Sequence, residues 1–200
     1  GVYSEVNDIF SGNADKEVEE KYAEVLDSLK TAKELADLLK NKAAFRGEME
    51  LQSDELKFVL DESGVCVDIA KRTTGEAEEL IEQFMISANI AAARFSQDNE
   101  LPFIYRTHEM PRTERVADLC MLLDRLSVRC TEIKKEKPSA SDFAAVLKRS
   151  VGGKYESLIS QKILRTMEKA RYSPVELGHF GLALKDYSHF TSPIRRYPDT

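Results

Sequence analysis

The run Gly178-His179-Phe180-Gly181-Leu182-Ala183-Leu184, followed after Lys185-Asp186 by Tyr187-Ser188-His189-Phe190-Thr191-Ser192-Pro193-Ile194-Arg195-Arg196-Tyr197-Pro198-Asp199, concentrates more chemistry than any other part of the chain. Residues 178–184 and 187–191 read as paired or adjacent strands between turn signals. Ser192 before Pro193 then reads as a helix N-cap with proline at the first helical position. Such a start would present free N–H groups and a positive dipole end to an anion. Arg195 and Arg196 add planar forks that take phosphate oxygens two at a time. The segment is therefore a candidate phosphate site.

Working outward, Gly75 to Gln97 is the strongest helical pattern in the sequence, opened by Thr73-Thr74, with acidic residues in its first turn and enough apolar width to be buried. Ahead of it, Glu17 to Lys42 repeats Val18, Tyr22, Val25, Leu26, Leu29, Leu35, Leu38 and Leu39 at helical spacing. This predicts one long helix or two in series, capped by Asn13 or Asp15, after a short helix from Tyr3 to Phe10 that ends at Gly12. Beyond Gly47 the period changes. Met49, Leu51, Phe58-Val59-Leu60 and Val65-Cys66-Val67-Asp68-Ile69 read as short strands, with Gly64 in the turn of a hairpin. Phe103-Ile104-Tyr105 reads as a strand after Pro102. Arg112 to Val128, Ser141 to Arg149 and Tyr155 to Ala170 read as amphipathic helices. The expected fold is mixed α/β and helix-rich, in one domain over residues 1–200.

The totals exclude several classes. An apolar share of 42% over 200 residues is enough for a real core. No apolar run reaches the length of a membrane span; the longest, around Ile86 to Phe95, is broken by Ser87, Asn89 and Arg94. Gly1-Val2-Tyr3-Ser4-Glu5 has no secretory signal pattern. Cys66, Cys120 and Cys130 are odd in number and widely spaced, which reads as reduced, packed thiols in a cytoplasmic protein. A net charge of −6 argues against a broad basic surface but leaves room for a local basic site. Lys134-Lys135-Glu136-Lys137 reads as a solvated connection between helices.

The C-terminal run resembles the signature of the ribonuclease II and ribonuclease R family, the RNB-domain exoribonucleases. Arg171-Tyr172-Ser173-Pro174, Phe103-Ile104-Tyr105-Arg106-Thr107-His108-Glu109 and Gly75 to Asn89 look like further blocks of it, in the same order. Within the family the likeness is closer to ribonuclease R. The resemblance implies a catalytic domain that hydrolyses single-stranded RNA processively from its 3′ end, releasing nucleoside 5′-monophosphates with magnesium in the active site. The family holds its metal with a cluster of aspartates near the start of the catalytic domain, and nothing in this sequence matches that cluster. Asp54-Glu55 and Asp61-Glu62 sit on the expected hairpin and its turn. The chain is therefore expected to be the later part of the catalytic domain, without its metal ligands or accessory RNA-binding domains, and inactive by itself.

Residue by residue, Arg195 matches the family's arginine at the reacting phosphate, where a guanidinium can stabilise charge growing on oxygen; without the resemblance it would read as a surface ion pair. Arg196 either contacts backbone phosphates or pairs with Asp199. Glu82 matches a glutamate that helps bind the terminal nucleotides, where a carboxylate accepts the ribose 2′-hydroxyl. Tyr3 matches a tyrosine in RNA selection, its bland alternative being a helix-start aromatic on a core. Ribonuclease II places an aromatic where this chain has Leu51. Leucine can press on a base but cannot supply π-stacking, worth roughly 1–3 kcal/mol per base. His108, His179 and His189 read as packed residues, since metal-assisted hydrolysis needs no histidine base. Asn89 is either a helix-packing residue or an RNA contact. Two other functions stay open at this level: an RNA-binding module that has lost hydrolysis, and a helical protein-interaction domain.

Overall fold

The computed structural model describes residues 1–49, 56–71, 74–134 and 136–196; Leu51, Asp54, Glu55 and Asp199 lie outside them. The chain divides into two compact units, the first comprising Gly1–Leu38 and Gln52–Phe84, the second Leu39–Leu51 and Met85–Thr200.

The first unit begins with α1 (Tyr3–Ser11), closed by Gly12 in the left-handed region. Of the two possible caps for the next helix it is Asp15 that serves, its carboxylate accepting from Val18 N–H at 2.9 Å at the start of α2 (Lys16–Tyr22). A 3₁₀ step at Ala23–Val25 separates α2 from α3 (Leu26–Arg46), so the long charged pattern is two helices in series. The step falls after Tyr22, which is buried. Its hydroxyl donates to Glu5 at 2.6 Å and accepts from Val2 N–H at 3.0 Å, tying α2 back to α1. Lys21 and Tyr22 together hold the Glu5 carboxyl below its usual range.

The hairpin forms as expected. β1 (Leu56–Leu60) pairs antiparallel with β2 (Cys66–Lys71), Phe58 opposite Ile69, around a turn in which Gly64 takes φ +81°. Asp61 holds that turn, accepting from Ser63 N–H and Val65 N–H, both at 2.9 Å. One of the sequence's candidate acids thus serves the backbone. Phe58, Val67 and Ile69 stand exposed. Cys66 is exposed as well, against the expectation of packed thiols, because a two-stranded hairpin has no layer of its own to cover it; Cys120 and Cys130 are buried.

The long central helix α4 (Glu76–Asp98) buries one stripe, Ala77, Leu80, Ile86, Asn89, Ala93 and Ser96, and leaves Ile81 and Phe95 exposed. Its first turn is held from a distance; of the two threonines expected to open it, Thr73 lies outside the described residues. The Asn7 side chain of α1 accepts from Ala77 N–H at 2.8 Å and donates to Glu78 at 2.9 Å. Gly75 makes this possible, since a Cβ there would lie 2.3 Å from the Asn7 amide nitrogen.

The second unit is built on α5 (Thr113–Arg125), α6 (Ala140–Ser150) and α7 (Glu156–Thr166). Val116, Leu123, Phe143, Val146 and Ile163 from their facing sides are fully buried, each contributing roughly 1.5–3 kcal/mol. Beside them β3 (Tyr105–Thr107) pairs antiparallel with β4 (Arg171–Ser173), Arg106 opposite Tyr172. The expected strand at 103–105 is therefore displaced by two residues. The displacement places Tyr105 and Thr107 inward and lets Arg106 N–H donate to the Tyr187 carbonyl at 3.0 Å.

Residues 178–184 and 187–191 do not form the expected strands. They make isolated bridges, His179 with Leu184, His108 with His179 and Tyr105 with Ser188. Positive φ at Gly178 (+75°) and Ala183 (+50°) curls the first segment into a closed turn. The second segment is diverted by hydrogen bonds to a side chain of α4.

Candidate nucleic-acid interface

That side chain is Asn89, 2% exposed. Its Oδ1 accepts from the backbone N–H of Phe190 at 3.0 Å and of Thr191 at 2.9 Å, and from the Thr191 hydroxyl at 3.0 Å. Its Nδ2 donates to the Tyr187 hydroxyl at 3.3 Å, and its carbonyl accepts from the Ser188 hydroxyl at 3.0 Å. One buried amide thus does for the loop what a strand ladder would do, satisfying backbone donors that have no sheet partner. Five residues along α4, Arg94 binds the buried Asp186 at 3.2 Å and fixes the start of the same loop. Of the two readings the sequence allowed for Asn89, packing is the one realised.

From the other side an aromatic chain reaches the loop out of the helical core. Phe143 meets Phe180 edge-on at 5.9 Å between centroids, Phe180 meets His108 at 6.2 Å, and His108 meets His179 at 5.0 Å. His179 continues to Tyr187 at 5.2 Å, Tyr187 to His189 at 6.0 Å, and His189 to Tyr172 at 5.6 Å. Each contact has the edge-to-face geometry that suits ring quadrupoles. Gly181 is required here: its N–H donates to His108 Nδ1 at 3.0 Å, and a Cβ would meet the same ring at 3.0 Å.

Burial holds all three imidazoles neutral at pH 7. It lowers His108 below its ordinary value. His179 is brought to about 3 by burial, with His108 and Arg106 adding to the effect. His189 falls to about 4 through burial and then the guanidinium groups of Arg196, Arg106 and Arg195. The Tyr172 hydroxyl lies 2.9 Å from His189 Nδ1, and Arg196 Nη1 lies 3.2 Å from both ring nitrogens. A neutral ring keeps one accepting nitrogen for these neighbours, the other bearing its proton.

Pro193–Arg195 is a single 3₁₀ turn, with Ser192 in the left-handed region at φ +57° and no side-chain cap bond. The expected helix start with a capping serine is thus not the geometry adopted, and a turn this short supplies no dipole of consequence. What the turn does is expose Ile194 and Arg195. The Arg195 guanidinium makes a single 3.5 Å contact, to Ser192 Oγ, and no carboxylate among the described residues pairs with it. Arg196 is half-buried against His189, its Nε enclosed and without a hydrogen-bond partner among the described residues.

Tyr3 and Glu82 belong to the first unit and are both exposed, Tyr3 in the first turn of α1 and Glu82 on α4. Leu51 lies outside the described residues. The sequence reading passed over Arg106 and Phe190. Arg106 stands over the Tyr172 ring at 4.7 Å, and Phe190 is 59% exposed at the edge of the Asn89-held loop. Both lay inside blocks quoted for the resemblance, and the alternation of β3 would have turned Arg106 away from the core.

Among the described residues no three His, Cys, Asp or Glu side chains converge to hold a metal, and no helix is long and apolar enough to cross a membrane. The described residues thus offer no such set for the magnesium that the resemblance implies.

The RNB domain family matches residues 2–200. Ribonuclease R 1 of Lactococcus lactis is 39% identical over 199 residues, covering 98% of this chain and 24% of that protein. Ribonuclease R of Thermotoga maritima is also 39% identical, over 99% of this chain and 27% of its own length. The structure of Mycoplasma genitalium RNase R in complex with ribose methylated single-stranded RNA superposes with a TM-score of 0.88 at 30% identity, over 98% of this chain and 30% of that one. The chain thus spans about a quarter of the length of the curated relatives it matches. A helix-rich α/β fold shared with RNase R, and a family match running almost from end to end, establish that this chain belongs to the RNB-domain family.

Proposed function

We propose that this chain is part of the catalytic domain of a cytoplasmic 3′-to-5′ exoribonuclease that hydrolyses single-stranded RNA to nucleoside 5′-monophosphates. The observation that carries the reading is the loop 187–196, fixed to α4 by Asn89 and ending in an exposed Arg195 that no carboxylate among the described residues pairs. A guanidinium held by a rigid frame stabilises negative charge on phosphate oxygens without reorganising when the charge develops. Arg195 acts there, at the scissile phosphate, and Arg196 contacts the strand beside it. Tyr3 and Glu82 serve RNA binding in the first unit, Glu82 by accepting a ribose 2′-hydroxyl; Leu51 would press on a base. The RNase R complex with ribose methylated single-stranded RNA supports a single-stranded substrate. Magnesium would assist the hydrolysis in the intact enzyme, held by ligands outside this chain. Accessory RNA-binding domains of the same protein are expected to deliver the strand.

The test is Arg195→Ala in the intact protein. It should lower kcat by about 10²- to 10³-fold while leaving RNA affinity nearly unchanged, because the group acts mainly in the transition state. A kcat within about threefold of wild type would remove Arg195 from the reacting phosphate. The 200-residue chain on its own should release no nucleotides with magnesium present; release would place a metal site within it.

A further inference from the structure

Arg106 has no assigned role, yet its surroundings are those of an anion site. The middle residue of β3, it lies opposite Tyr172 across the ladder, with the Tyr187–His189 segment on its other side. Its guanidinium is spread over the Tyr172 ring at 4.7 Å, and the Tyr172 hydroxyl in turn reaches His189 at 2.9 Å. Arg196 approaches the same histidine at 3.2 Å. The ring face seats the guanidinium, and no side-chain hydrogen bond to it occurs among the described residues. Neither Arg106 nor Arg196 has a carboxylate partner among the described residues, although the chain carries six more acidic than basic charges. The charged groups that act on His189 are Arg196, Arg106 and Arg195, with no carboxylate to offset them. Several arginines of this unit are paired, Arg94 with Asp186, Arg112 and Arg115 with Glu168, Arg149 with Glu132 and Arg171 with Glu109, whereas Arg106 and Arg196 share with Arg195 a place beside one histidine.

Clustered like charges left unneutralised destabilise a fold unless a ligand of opposite sign completes them. The buried, unpartnered Nε of Arg196 makes the same point at one atom, since an enclosed donor without an acceptor is costly. We propose that Arg106 and Arg196, flanking the Tyr172–His189 pair, form a phosphate subsite that takes a backbone phosphodiester of the RNA strand, distinct in role from Arg195 at the scissile phosphate. This rests on the exoribonuclease reading above. Arg106 binds the strand and takes no part in the bond change, so it sets affinity where Arg195 sets turnover.

The experiment measures binding of a fluorescent single-stranded RNA of about 20 nucleotides to the intact protein in EDTA, from about 50 to about 300 mM salt. Arg106→Gln should weaken binding about 3- to 10-fold and lower the slope of log K against log salt by about 0.7 to 1. Arg106→Lys should recover the slope, as a retained charge, but only part of the affinity. In wild type, RNA should protect Arg106 from phenylglyoxal, read by mass spectrometry, a measurement that needs no variant to fold. Unchanged slope and affinity in a folded Arg106→Gln protein overturn the proposal, as does absence of protection. Protection by inorganic phosphate or adenosine 5′-monophosphate but not by RNA would overturn the phosphodiester assignment in favour of a free phosphate monoester. Failure of wild type to bind RNA at all would instead refute the exoribonuclease reading itself.

Discussion

Asn89→Ala should release the loop that presents Arg195. The wild-type amide makes three acceptor bonds at 2.9–3.0 Å to Phe190 and Thr191 and one donor bond of 3.3 Å to Tyr187. Each is worth about 0.5–1.5 kcal/mol net alone, but three share one acceptor oxygen and do not add in full, so losing all four costs about 2–4 kcal/mol. The loop has no sheet ladder to fall back on, so most of this should appear as local opening, with a smaller change in global unfolding. At about 1.4 kcal/mol per decade, exchange of the Phe190 and Thr191 amides should accelerate about 30- to 1,000-fold, while amides in α5 to α7 change little. Asn89→Asp keeps the acceptor and loses the donor to Tyr187, and should fall between the two. In the intact protein the Ala variant should also lose turnover, since Arg195 would be presented from a mobile segment. Exchange at Phe190 and Thr191 within about threefold of wild type would refute the idea that this one amide frames the loop.

Two further outcomes follow from buried groups. Because His179 (about 3) and His189 (about 4) refuse protons in the fold that the unfolded chain accepts near pH 6.5, stability should be full above about pH 6.5 and fall as pH drops toward 4, by up to about 1.4 kcal/mol per unit per histidine. Urea midpoints between about pH 7.5 and 5 check this, before lowered carboxyls such as Glu5 titrate; a flat profile, or one that His179→Gln does not flatten, would refute it. In thiol labelling, native protein should react at Cys66 alone, with Cys120 and Cys130 appearing only on unfolding; burial pushes the Cys130 thiol up to about 12, which removes its thiolate.

The helices were legible because their cause is local. Val18 to Leu39 carries the period, Asp15 supplies a cap, and Gly12 and Gly64 supply positive φ, all within a few residues of where they act. What was not legible is held by residues distant in sequence. In the first turn of α4, Ala77 N–H donates to Asn7, seventy residues away. The segment 187–191 has strand-like composition, yet its donors go to Asn89, roughly a hundred positions earlier. A buried asparagine on a helix reads the same in sequence whether it satisfies its own turn or a remote loop. Arg195 was readable as chemistry; that its turn would be too short for a helix dipole was not, since Ser192-Pro193 is equally consistent with a longer helix. Arg106 is not legible as a site residue because the apolar run Phe103-Ile104-Tyr105 points to a strand two residues before β3, which obscures the face on which it sits.

The neutral histidines bear on how the cluster works. Between His108 and His189 lie rings that could each add a positive charge, and the groups facing His189 are Arg106, Arg195, Arg196 and the hydroxyl of Tyr172. Were His189 protonated, it would repel three guanidinium groups and lose its one accepting nitrogen; the arginines would lose their seat as the field rose. Keeping it near 4 leaves the local charge constant, set by arginines that do not titrate. RNA affinity at fixed salt should therefore vary by less than about twofold from pH 8 to pH 5.5, where an ordinary histidine at about 6.5 would tighten binding as it gained charge. Measuring Kd in EDTA across that range tests the point independently of turnover. A progressive tightening of about fivefold or more below pH 7, abolished in His189→Gln, would mean that His189 takes up a proton beside the phosphate and that the ring is a working part of the site rather than its neutral seat.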